Sequence, residues 1–102
     1  MADTPITVGQ LQTLLGELAE SDIPHHLRDG LVRYFRDGIL PGSFLQAVLC
    51  NDLLATVSRA APRALDALPA LMEFLHWTAP VEAWGSRKKV LAWTTTPDRL
   101  EV

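Results

Sequence analysis

Apolar residues recur along this chain at intervals of three and four, and Gly, Pro, Ser and an Asn-Asp pair punctuate the segments so marked. That period places side chains on one face of a helix; sustained alternation, the mark of a half-buried strand, does not appear. Thr7 and Gln10 form a Thr-x-x-Gln capping box, with Ile6 and Leu11 at the positions of a hydrophobic staple. Val8, Leu11, Leu14, Leu15 and Leu18 then make one stripe, predicting a first helix that ends near Glu20. Ser21 and Asp22 stand as cap candidates before Pro24, which a first helical turn tolerates. Leu27, Leu31, Tyr34 and Phe35 share the inner face of the second helix, opposite His25, Asp29 and Arg36. Arg33 lies four residues from both Asp29 and Asp37 and can pair with either along the surface. Gly38 is expected to close the helix in a left-handed cap.

Ser43 reads as the cap of a third helix, with Gln46 three residues on. Phe44, Leu45, Val48, Leu49, Leu53, Leu54 and Val57 exceed what one stripe holds, which predicts the most buried helix of the molecule. Asn51-Asp52 interrupts it, either as a narrow polar edge or with Asp52 capping a second, bent piece. The fourth helix carries Leu65, Leu68, Leu71, Met72, Phe74 and Leu75. Pro69 belongs in its first turn, so it starts near Asp66 and stops before Thr78-Ala79-Pro80. After a tight turn at Trp84-Gly85, Ser86 caps a short last helix from Arg87 to about Trp93. The expected fold is all-α: a bundle of about five short helices without a sheet, one domain over residues 1–94 and a flexible tail over 95–102.

Composition agrees with that picture. The chain has 102 residues, 48% hydrophobic and 7% aromatic, and Leu and Ala, strong helix formers, supply most of the apolar content. A net charge of −3 gives no general positive field for displacing counterions, so no duplex nucleic acid is expected as a partner. One cysteine excludes a disulfide framework. No leader pattern and no run of eighteen apolar residues is visible, so a cytoplasmic protein without a membrane partner is the expectation.

The run IPHHLRDGLVRYFRDGILPGSFLQAVLCNDLL, followed by SRA, a Leu-Pro helix and WGS before the last helix, resembles a family of small phage and prophage proteins. The resemblance covers residues 23–93 and leaves residues 1–20 outside. It implies an accessory protein acting in a bacterial cytoplasm and brings no catalytic residue with it.

The residues themselves offer little for catalysis. His25 and His26 point about 100° apart on a helix and cannot easily share an ion, so no metal is expected. Cys50 sits among leucines and reads as a small buried hydrophobe. No phosphate loop, nucleophile elbow or zinc-binding helix appears, the carboxylates look scattered along solvent faces, and neither a catalytic group nor a cofactor is expected. A helix-turn-helix reading fails because Phe44 to Leu54 has no polar, base-reaching face.

Two features break local rules. Arg87-Lys88-Lys89 puts three cations in the first turn of a helix, where the dipole favours anions. With Ser86 and free backbone N–H groups this turn could seat a phosphate; the plainer reading is a solvated basic turn. The family-like stretch is also rich in arginine (Arg28, Arg33, Arg36, Arg59 and Arg63), most of which can pair with Asp29, Asp37 and Asp66. The ligand-binding candidates are therefore Ser86, Arg87, Lys88, Arg33 and Arg59. Trp77, Trp84 and Trp93 are candidates for an oligomer seam, since indoles favour interfaces with one wet edge.

Two functions fit. One is a non-enzymatic homo-oligomer that sequesters a phosphate-bearing nucleotide signal of host defence. The other is a protein-binding module that inhibits or recruits a host or phage protein. Convergence of the Arg87 turn with Arg33 or Arg59 would favour the ligand; dispersal would favour the protein partner.

Overall fold

The computed structural model describes residues 6–95 and 100–101. Among the described residues six α-helices account for the architecture: α1 Val8–Ala19, α2 His25–Asp37, α3 Ser43–Leu49, α4 Leu53–Arg59, α5 Leu68–Trp77 and α6 Arg87–Thr95. Short 3-10 turns at Ala64–Ala67 and Val81–Ala83 bracket α5. The fold is all-α. Among the described residues extended pairing amounts to a two-residue parallel ladder of Ile6–Thr7 with Leu100–Glu101. Thus α6 runs to the first residue of the expected tail, and two later ones pair with the two residues ahead of α1; residues 96–99 and 102 of that tail lie outside the described residues.

Local chemistry explains most boundaries. The Thr7 hydroxyl accepts the Gln10 N–H at 3.0 Å, and the Gln10 side chain accepts the Thr7 N–H at 2.8 Å, a reciprocal box that satisfies two orphan donors. Leu11 of the expected staple is buried, and the side chain of Ile6 lies outside the described structure. Gly38 closes α2 at φ 71°, where a Cβ would be strained.

Three starts differ from the sequence expectation. Pro24, not Ser21 or Asp22, occupies the cap position of α2; the Ser21 hydroxyl instead donates to the Leu18 carbonyl at 2.7 Å. Ser43 is the first residue of α3, behind Gly42, and makes no capping bond. Gln46 reaches back to the Pro41 carbonyl at 2.8 Å instead. The regular part of α5 begins at Leu68, with Pro69 in its first turn, because Ala64–Ala67 winds as a 3-10 turn.

The expected long third helix is two helices. Asn51 takes φ 60° and Asp52 accepts the Ala55 N–H at 3.1 Å, so the chain turns and α4 restarts under a new cap. The core consequence is large: Phe44, Leu45, Val48 and Leu49 of α3 are buried, whereas Leu53, Leu54 and Val57 of α4 are 70%, 80% and 50% exposed. The most buried helix thus ends at Leu49. In α4 the residue facing inward is Thr56, whose hydroxyl donates to the Asp52 carbonyl at 2.7 Å.

An aromatic cluster fills the centre. Phe35 meets Tyr34, Phe74 and Trp93 edge-on, at centroid distances of 5.2, 5.9 and 6.4 Å. Each such side chain contributes roughly 1.5–3 kcal/mol by burial, and edge-to-face geometry adds to it. Gly30 lets α2 approach the next helix closely: a Cβ there would stand 3.2 Å from Leu45 Cδ1 and 3.7 Å from Pro41 Cβ.

Candidate functional site

The basic turn is built by the junction of α3 with α6. The Gly85 N–H donates to the Leu49 carbonyl at 2.7 Å, with Gly85 at φ 114°, so the turn is tied to the end of α3. Ser86 is a cap, as expected: its hydroxyl accepts the Lys89 N–H at 3.2 Å. Arg87, Lys88 and Lys89 are exposed beyond it.

Arg87 and Arg59 both act on the thiol of Cys50. Burial pushes that thiol up from its ordinary value; Arg87 and Arg59 pull it back down, and Asp52 adds to the rise. Cys50 is half-buried rather than enclosed, because it is the cap residue just after α3, before the Asn51 turn. Two of the predicted ligand residues therefore share one neighbourhood.

Arg33 does not join them. It opens on a cavity of about 390 Å³ shared with His26, Ser43 and the apolar side chains of Ile39, Leu40 and Phe44. Its expected aspartate partners are taken: Asp29 pairs with His25 at 3.4 Å and Asp37 with Arg36 at 2.9 Å. Arg63 pairs with Asp66 at 3.6 Å, and Arg28 donates to the Ala19 carbonyl at 2.7 Å. The five predicted ligand residues thus fall in two places.

Nor do the tryptophans form one seam. Trp93 belongs to the core, its indole N–H donating to the Tyr34 carbonyl at 3.0 Å, and offers no surface to a partner. Trp84 is half-buried, with its ring N–H enclosed and without an acceptor among the described residues. Only Trp77 stands out, 79% exposed.

Two features were missed from sequence. One is the exposed apolar face of α4. The other is a gathering of carboxylates: Glu17, Glu20, Asp22 and Glu73 line one groove of about 380 Å³ beside Trp77. The i, i+3 spacing of Glu17 and Glu20 and the i, i+4 spacing of Glu73 and Trp77 were visible, but their meeting depends on how α1 packs beside α5.

Among the described residues no helix is long and apolar enough to cross a membrane. No family model matches the chain, and neither a curated protein nor a solved structure matches it.

Proposed function

We propose that this chain is a small, non-enzymatic protein-binding module that docks through α4 on an apolar surface of a partner protein edged with acidic groups. The observation that carries this reading is the exposure of Leu53, Leu54 and Val57 on a single seven-residue helix. Single exposed apolar residues are ordinary, but a contiguous patch marks an interaction surface. Arg59 closes the same helix and Asp52 caps its start, so the patch is charged at both ends and cationic at the Arg59 end. Apolar centre and charged rim are the usual anatomy of a protein interface. Arg87 meeting Arg59 beside Cys50 counts toward a ligand seat, whereas Arg33 stands apart on its own cavity; the exposed apolar face of α4 decides for the protein partner. In the setting that the phage-family resemblance implies, the partner is a host or phage protein.

A photo-crosslinking residue at Leu54, in cells of the host, tests the proposal. One dominant protein should be captured, and Val57→Asp with Arg59→Glu should abolish its capture while leaving the fold intact. Capture that ignores those changes would sink the reading.

A second reading rests on the cavity beside Arg33. Its size and its mixture of apolar walls with a few polar groups suit a small ligand, and a phosphate could meet the Arg33 guanidinium while a base packs on Phe44. Calorimetric titration with linear and cyclic nucleotides tests it. Heat that disappears in Arg33→Ala supports nucleotide capture, and no heat from any nucleotide removes it.

A further inference from the structure

The outer face of α5 also leaves apolar side chains uncovered. Trp77 is 79% exposed and Met72 42% exposed on it. Trp77 also walls the groove between the end of α1 and α5 that Glu17, Glu20, Asp22 and Glu73 line. Among the described residues none of these four carboxylates has a cationic partner; the ion pairs lie at His25–Asp29, Arg36–Asp37 and Arg63–Asp66. A large indole beside four unneutralised carboxylates suits a cationic side chain lying over the ring.

The complementary surface is on the same molecule. Arg87, Lys88 and Lys89 are exposed, carry no ion pair among the described residues, and contribute nothing to the groove wall. They stand at the start of α6, where the helix dipole opposes positive charge, so a negative surface brought against them is favoured twice over.

We infer that the Trp77 groove receives the Arg87-Lys88-Lys89 turn of a second copy of this chain. The carboxylates pair with the basic side chains and one cation covers the Trp77 indole. Groove and turn are different patches, and each copy offers one surface of each kind. The contact does not draw on Leu53, Leu54 or Val57 of α4. Because the joining charges are exposed, the contact weakens with salt.

Sedimentation equilibrium of the full chain at micromolar concentration tests this. Self-association should weaken about tenfold or more between low salt and ~0.5 M salt, as screened exposed charges require. Trp77→Ala with Glu73→Lys should abolish it, and so should Arg87→Glu with Lys88→Glu. The decisive step mixes the two non-associating proteins. The first keeps an intact turn and the second an intact groove, so the mixture should form a heterodimer that neither forms alone. All four positions are exposed, and circular dichroism of each variant should match the parent. Three results would overturn the inference: a monomer at every salt concentration, a mixture that stays monomeric, or association that salt leaves unchanged and Leu54→Asp abolishes. The last would move the seam to α4. A foreign basic peptide that seats in the groove of a monomeric chain would replace the second copy as its occupant.

Discussion

The phenol of Tyr34 donates a hydrogen bond to the backbone carbonyl of Ala83 at 2.5 Å, across 49 positions of sequence. The Tyr34 carbonyl in turn accepts the indole N–H of Trp93. One residue of α2 thereby holds both the turn before α6 and α6 itself, and the basic turn is positioned from the core.

Tyr34→Phe should cost about 1–3 kcal/mol, because it leaves the Ala83 carbonyl without its donor in a buried setting. Burial, followed by the nearby Cys50, raises the Tyr34 phenol above its ordinary value of 10.0. A folded-state value above the unfolded one means stability fully present below pH 10 and lost as pH rises beyond it. Urea denaturation from pH 8 to 11 should show that alkaline loss in the parent and a shallower one in the variant.

The division between α3 and α4 predicts a sharp contrast between neighbouring leucines. Leu49 is fully buried, so Leu49→Ala should cost roughly 2–5 kcal/mol. Leu54 faces solvent, so Leu54→Asp should stay within about 0.5 kcal/mol of the parent in the isolated monomer. Equal losses from both, measured by denaturant midpoint, would mean that α4 packs inward after all.

Asp52→Ala removes the cap that restarts the chain at α4 and should destabilise by about 1 kcal/mol. Asp52→Asn, which keeps the accepting oxygen, should recover most of it. Thermal melts of the three proteins give the comparison.

The thiol of Cys50 should alkylate slowly below its ordinary titration range, since burial disfavours the thiolate. Arg59→Ala with Arg87→Ala removes the two groups that lower it, so the midpoint of the rate-against-pH profile should move to higher pH. A midpoint that moves down, or not at all, would show that the two guanidinium groups do not share the Cys50 neighbourhood. Cys50→Ala should cost only about 1 kcal/mol, the loss of a small half-buried group.

Order along the chain determined much of this molecule. The capping box at Thr7 and Gln10, the Gly38 cap, the inner face of Leu27, Leu31, Tyr34 and Phe35, and the place of Pro69 follow from interactions within a few residues. Asp52 shows the limit of such reasoning. Its capping role was one of two local options, and which one held decided whether Leu53, Leu54 and Val57 lie inside or outside. Hydrophobic periodicity counts apolar residues without saying whether a neighbour covers them, so an exposed apolar face looks the same as a buried one. The charges follow the same logic. Arg33 had two aspartates in reach along its helix, yet His25 and Arg36 took them, and α1 brought Glu17 and Glu20 to Glu73 of α5. Those are encounters between surfaces far apart in sequence, fixed by how helices pack, and only the tertiary structure holds them.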